Sequence, residues 1–129
     1  MNIQTAVTTV LGNYATFSGR ATRSEYWWWV LALILLMLVL GVVDGALLAP
    51  VMGFERFSAE AGQPISLLAS LALLLPSIAV SVRRLHDIDR SGWWYLIGLV
   101  PIVGPIVLIY WYVQPGTGGD NQFGPEPAR

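Results

Sequence analysis

Cysteine and lysine are both missing from this 129-residue sequence, and histidine occurs only once. Without cysteine the chain has no disulfide, no thiol nucleophile and no thiolate ligand for a metal. Without lysine it lacks the phosphate-binding residue of a P-loop, a Schiff-base amine and the base of a Ser–Lys dyad. A single histidine also leaves a zinc site incomplete. These absences exclude several common enzyme and metal-site chemistries.

Charge is scarce as well, since charged residues make up 12% of the chain and hydrophobic residues 55%. Soluble domains carry about 25% charged residues. A chain this short could not bury so much apolar surface in a core of its own, so the excess indicates that lipid is the solvent. The net charge of −1 gives no electrostatic basis for binding nucleic acid. Residues 1–25 lack a signal-peptide pattern, so the first apolar run is predicted to be an uncleaved anchor.

Three apolar stretches predict an all-α membrane bundle of three transmembrane helices, at about 26–48, 65–82 and 93–113. Aromatic residues open the first and third stretches and close the third, as side chains at headgroup level do. From Trp93 to Trp111 a helix would rise about 27 Å, close to the ~30 Å of hydrocarbon in a bilayer. Pro101 and Pro105 predict a kink in this third span, and a re-entrant hairpin at "PIVGP" is the alternative.

Arginine positions set the predicted orientation, because positive residues in short loops remain in the cytoplasm. The arginines on the predicted cytoplasmic side are Arg20, Arg23, Arg83, Arg84 and Arg90. Only Arg56 and Arg129 lie in the other loop and in the tail. The N-terminus and residues 83–92 are therefore expected to face the cytoplasm, while residues 49–64 and the tail, 114–129, face the periplasm. Within 1–25, apolar residues at helical spacing predict an interfacial amphipathic helix, with a mobile terminus as the alternative.

Three segments carry a family resemblance: "FSGRATRSEYWW" (17–28), "RRLHDIDRSGWW" (83–94) and "PGTGGDNQFGPEP" (115–127). In this order and spacing they resemble the small bacterial inner-membrane proteins grouped as domain of unknown function 805. The positions that match are Gly19, Arg20, Arg23, Glu25, Tyr26, Trp27, Arg83, Arg84, Leu85, His86, Asp87, Ser91, Gly92, Trp93, Gly116, Asn121, Gly124 and Pro127. Asp89 and Gln122 depart from the family pattern, which weakens a chemical role for either. The resemblance implies a bacterial inner-membrane protein and no known activity.

The second segment places three arginines, two aspartates and the histidine within residues 83–90. As chemistry, Asp87 and His86 could serve as a base and its orienter with Ser91 as nucleophile, but no oxyanion donor is identifiable. As a metal site, His86 with Asp87 and Asp89 offers only one nitrogen ligand. In the structural interpretation, Ser91 caps the third span and the charges hold the helix ends together.

That structural interpretation predicts a polar clamp, a network of charges that is costly near lipid unless it is paired. The polar clamp consists of Arg20, Arg23, Glu25, Arg83, Arg84, His86, Asp87 and Arg90. The expected pairs are Glu25 with Arg83 or Arg84, and Asp87 with Arg20 or Arg23. The same cationic surface is a candidate contact for a partner or for anionic lipid headgroups.

Small residues predict where helices contact one another inside the membrane. Gly41 and Gly45 are four residues apart and predict close helix packing, within one chain or between two. A stripe of hydroxyls on one face of the second span predicts another packing surface, with a solute path as the alternative: Ser66, Ser70, Ser77 and Ser81. Asp44 is expected near the outer interface.

The sequence therefore predicts a non-enzymatic interaction or assembly factor, without a cofactor or metal. Its expected partners are membrane lipids, another membrane protein or a second copy of the chain, and not nucleic acid. A transporter or channel component is the first alternative, and an enzyme acting on lipid headgroups is the next.

Overall fold

The computed structural model describes residues 1–128, which contain helices and no β-strand. The prediction of an all-α fold is confirmed. The α-helices are α1 (Ile3–Gly12), α2 (Arg23–Val42), α3 (Ala49–Val51), α4 (Pro64–Asp87) and α5 (Val103–Val113). A π-helix, Val43–Leu48, joins α2 to α3, and 3-10 helices occupy Ala59–Ala61 and Gly92–Leu99.

The chain divides into two compact units, which are described separately. The first contains residues 1–29 and the chain from Leu75 onward, and the second contains residues 30–74. In the first unit, Asn2 caps α1 by accepting a hydrogen bond from Thr5 N at 2.8 Å, and Ala6 and Val10 are buried.

Two helical stretches are long and apolar enough to cross a membrane, judged by length and composition. They are Arg23–Val51, with 29 residues, and Pro64–Asp87, with 24. Both contain the corresponding predicted spans, 26–48 and 65–82. The π-helix inside the first stretch was not predicted, because one extra residue in a helical turn leaves no hydrophobicity signal.

The predicted third span, 93–113, is not one helix, and the expectation of a simple kink is wrong. The 3-10 helix ends at Leu99, α5 begins at Val103, and Ile102 between them has a φ of 69°. The rings of Trp94 and Trp111 lie 5.7 Å apart, whereas a straight helix would separate these positions by about 25 Å. Residues 92–113, called the hairpin below, fold back at "PIVGP", as the alternative interpretation predicted.

Glycine makes this fold-back possible. A Cβ atom at Gly104 would overlap the carbonyl group of Ile97 and crowd the Cα of Gly98, so α5 approaches the 3-10 helix at backbone distance. Leu108 and Tyr112 on α5 are buried with Leu85 of α4 in one hydrophobic cluster. The hairpin is therefore anchored at its base to the last turns of α4.

In the second unit, Asp44 is fully buried and caps α4. Its carboxylate accepts hydrogen bonds from Ile65 N at 3.0 Å, Ser66 N at 2.8 Å and Ser66 Oγ at 2.7 Å. Backbone N–H groups at the start of a helix have no intrahelical partner, so a carboxylate there is well placed. Sequence analysis missed this cap because Asp44 and Ser66 lie on different helical segments.

The predicted contact at Gly41 and Gly45 is only partly present within the single chain. A Cβ at Gly45 would overlap the ring of Phe57, whose backbone N also donates to Gly45 O at 2.8 Å. A Cβ at Gly41 would meet nothing within 4 Å. Gly45 therefore accommodates the loop after α3 and not a facing helix, and a contact between two chains at Gly41 stays a prediction.

Replacing Gly45 with leucine is expected to destabilise the fold by about 1–3 kcal/mol, because the added side chain displaces Phe57. Gly41→Leu is the matched control on the same helical segment and should change stability much less in monomeric protein. Thermal unfolding of both variants in detergent measures the difference. An equal loss in Gly41→Leu would contradict the single-chain account and support a contact between chains.

Candidate functional site

Asp87 is the last residue of α4 and forms the centre of the polar clamp. Its side chain is fully buried, and each carboxylate oxygen accepts a hydrogen bond from an arginine. Arg20 donates from Nε to Oδ1 at 3.0 Å, and Arg84 donates from Nη1 to Oδ2 at 2.6 Å. The pairing of Asp87 with Arg20 is one of the two options expected from the sequence. Arg84, one helical turn before Asp87, is an additional partner.

Glu25 and Arg83 form a second buried ion pair, with 2.7 Å between Oε2 and Nη1. Glu25 lies in the first turn of α2 and Arg83 near the end of α4, so the pair joins these two helix ends. Arg83 also donates from Nε to Thr16 O at 3.2 Å, and its carbonyl accepts from Ala21 N at 2.9 Å. The segment before α2 is thereby tied to α4.

Backbone carbonyls at the end of α5 and in the tail complete the polar clamp. Arg20 donates to Gly119 O at 2.7 Å, to Gly124 O at 3.3 Å and to Thr117 O. Arg84 donates to Tyr112 O at 3.3 Å and to Gln114 O. In return, Thr117 N donates to Asp87 O at 2.7 Å. The segment 115–127 is therefore folded around the same arginines that hold Asp87.

These contacts do not fit one expectation from the sequence. The N-terminal segment and the tail were expected on opposite sides of a membrane, yet Arg20 binds three carbonyls of the tail directly. The two segments lie at the same end of the first unit. The physical reason is the hairpin, which returns the chain to the end of α4 where it started.

His86 is held in the site by an aromatic ring and by hydrogen bonds that involve backbone carbonyls, and not by a carboxylate. Its ring stacks on Phe123 with centroids 4.1 Å apart and an angle of 5° between the planes. Its Nδ1 lies 2.9 Å from Gly19 O, and its own carbonyl accepts from Asn121 Nδ2 at 2.9 Å. His86 thus connects all three sequence segments that carry the family resemblance.

Arg23 and Arg90 lie at the edge of the polar clamp and form no salt bridge with a carboxylate among residues 1–128. Arg23 donates to Val113 O at 2.9 Å, at the end of α5. The guanidinium of Arg90 lies 4.4 Å from the ring centroid of Trp111, in a cation–π contact. The alternative pairing of Asp87 with Arg23 is not the one in the structure.

Ser91 and Asp89, which the catalytic and metal alternatives involve, lie at the start of the 3-10 helix and in the turn before it. Ser91 caps the 3-10 helix, with its Oγ accepting from Trp93 N at 3.3 Å. Asp89 is exposed, with a φ of 62°. Within the described part of the chain, no three His, Cys, Asp or Glu side chains are grouped so that they could hold a metal ion. Buried charges are costly unless they are paired, and the ion pairs of the polar clamp supply that pairing.

The serine hydroxyls of α4 are engaged within the protein. In the second unit, Ser66 binds Asp44, and Ser70 Oγ lies 4.0 Å from Met37 Sδ. In the first unit, Ser77 accepts from Trp29 Nε1 at 3.1 Å and Ser81 donates to Ser77 O at 2.8 Å. This arrangement favours packing over a hydroxyl-lined path.

Comparison with known proteins confirms the family resemblance that these segments carry. A family model described as "Protein of unknown function (DUF805)" matches residues 14–125, which include the first two segments and the third as far as residue 125. The chain is 42% identical over 118 residues to inner membrane protein YhaH of Escherichia coli K12, covering 92% of each chain. It is 39% identical over 121 residues to inner membrane protein YhaI of the same strain, covering 92% of this chain and 91% of the relative. No solved structure shows significant similarity to it.

Proposed function

We propose a role for this chain from the premise that it belongs to the DUF805 family of proteins of unknown function. The proposed role is that of a non-enzymatic interaction or assembly factor in the bacterial inner membrane. The burial of Asp87 carries this proposal. A catalytic acid, base or nucleophile must reach its substrate, whereas both carboxylate oxygens of Asp87 are held by buried arginines. The polar clamp therefore organises the fold and leaves contact with partners to the segments that it holds in place.

The proposed topology has two membrane crossings, Arg23–Val51 and Pro64–Asp87, and a hairpin that enters and leaves on one side. The excess of arginine around the polar clamp supports a cytoplasmic location for both the N-terminal segment and the tail. The hairpin has no charged residue, and Leu99 and Ile102 near its tip are 80% and 78% exposed. The 11 residues of α5 rise only about 16 Å, roughly half of the hydrocarbon core.

The contact surface in this proposal is the tail turn around Asp120. Gly119 and Gly124 have positive φ values, 73° and 132°, and Asn121 and Gly124 exchange backbone hydrogen bonds across the turn. Because Arg20 donates hydrogen bonds to the carbonyls of both glycines, the conformation of the turn is restrained. A rigid, exposed turn binds a partner at a lower entropic cost than a flexible segment.

Photocrosslinking in intact cells tests this function. A photoreactive amino acid at Asp120, which is exposed, should give a discrete adduct with one membrane or cytoplasmic protein. The matched control is Leu47, an exposed apolar position in the second unit, which should label lipid only. Adducts at Leu47 but none at Asp120 or at its neighbour Gly118 would contradict a contact through the tail.

A further inference from the structure

A groove of about 450 Å³ lies beside His86 in the first unit. One wall is α4, which contributes Ile78, Val82 and His86 at intervals of four residues. Residues four apart lie on the same face of a helix, so these three form a single stripe about 12 Å long. The opposite wall comes from the 3-10 helix, with Trp93 and Leu96 three residues apart.

The groove changes polarity along its length. Ile78, Val82 and Leu96 make its walls apolar, while His86 and Ser91 supply polar atoms where α4 ends. His86 Nδ1 faces the carbonyl of Gly19, which can only accept, so Nδ1 carries the hydrogen. In the neutral ring Nε2 is then an acceptor. Ser91 Oγ already accepts from Trp93 N, and its hydroxyl hydrogen remains available for donation.

We propose that this groove binds one phospholipid from the membrane leaflet next to the polar clamp. An acyl chain lies along Ile78 and Val82, and the headgroup reaches Ser91 and His86. The assignment rests on the membrane placement given under the proposed function. In that placement the apolar end of the groove lies toward the hydrocarbon core and its polar end lies at the headgroups.

Charge supports the same occupant. Ser91 offers a hydroxyl donor to a phosphodiester at the polar end of the groove. Arg90 precedes Ser91 and is exposed, and although its guanidinium lies over Trp111 and not in the groove wall, it adds a positive charge near this end. A headgroup amine or hydroxyl can donate to Nε2 of neutral His86. Trp93, which is exposed, is of the residue type that concentrates at headgroup level. An apolar protein segment would satisfy the walls but leave this polar end unmatched.

The test uses the full-length protein in vesicles of phosphatidylethanolamine and phosphatidylglycerol that contain a phospholipid with a photoreactive acyl chain. Crosslinks mapped by mass spectrometry should concentrate on Val82 and Leu96. Ile78→Trp fills the groove and should reduce these crosslinks about tenfold, a loss of ~1.4 kcal/mol of binding. Leu96→Trp narrows the groove from the other wall and provides a second variant if the first does not fold.

The matched control is Ile109→Trp, an exposed position on α5 outside the groove, which should leave the crosslinks unchanged. Labelling spread over all exposed apolar positions, or unaffected by both groove variants, would overturn the proposal and indicate surrounding lipid only. This readout is independent of the protein adduct at Asp120. Failure of the lipid crosslinks would therefore not imply failure of the protein adduct at Asp120, and the reverse also holds.

Discussion

Replacing Asp87 with asparagine is expected to lower the free energy of unfolding by about 3–5 kcal/mol, because it leaves two buried arginines without their shared negative charge. Arg20 and Arg84 are both buried, so water cannot replace the lost carboxylate. Hydrogen bonds from the two arginines to carbonyls of the tail remain, but a carbonyl does not neutralise a guanidinium. Chemical denaturation in detergent measures the loss.

The matched control is Asp89→Asn, two residues further along the chain and exposed, which should change stability by less than about 0.5 kcal/mol. Double variants of Asp87 with Arg20 or Arg84 should show coupling, because the residues share one network. Wild-type stability of Asp87→Asn without coupling would contradict the polar clamp. It would also return His86 and Asp87 to the candidates for catalysis.

The second large effect is expected from Gly104→Ala. Alanine favours a helix over glycine by about 1 kcal/mol, so α5 alone would gain stability. The added Cβ, however, would overlap the carbonyl group of Ile97, which is backbone and cannot move aside as a side chain can. We expect a net loss of about 3 kcal/mol, at the upper end of overpacking effects.

Gly118→Ala is the control for this substitution, since a Cβ there would meet nothing within 4 Å. Thermal unfolding should distinguish the two variants clearly. The fluorescence of Trp94 and Trp111, whose rings are in contact, provides a second readout of the hairpin. If Gly104→Ala were as stable as Gly118→Ala, the close approach of the hairpin's two arms would be wrong.

The sequence was sufficient to predict the two long apolar helices and two of the buried ion pairs. Both follow from side-chain chemistry. A helix of about 20 apolar residues is long enough to span the hydrocarbon core of a bilayer. A carboxylate near lipid is costly unless it is paired with a cation such as arginine. Asp87 with Arg20 and Glu25 with Arg83 were among the expected pairs, and both occur in the structure.

The hairpin was harder to predict because its pattern fits two structures equally well. Aromatic residues at 93–95 and 110–112 mark two points at the same depth or two opposite interfaces, and composition does not distinguish them. The deciding feature is a backbone contact at Gly104, which appears in the sequence only as a glycine between two prolines.

The role of the tail was missed for a related reason. Arg20 and Arg84 bind it through main-chain carbonyls, which every residue possesses and which no motif reveals. Glycine and proline in 115–127 predict turns, but not that these turns surround two buried arginines.

Chemical labelling of single cysteines tests most directly whether the tail and the N-terminal segment lie on the same side of the membrane. The natural chain has no cysteine, so Gln4→Cys, Glu55→Cys and Ala128→Cys can each be introduced alone at exposed positions. A membrane-impermeant maleimide is applied to intact spheroplasts and to inverted vesicles. If the hairpin returns the tail to the side of the N-terminal segment, Gln4→Cys and Ala128→Cys should be labelled in inverted vesicles only. Glu55→Cys should be labelled in spheroplasts. Labelling of Ala128→Cys in spheroplasts, together with Glu55→Cys, would mean that residues 93–113 cross the membrane and would contradict the account.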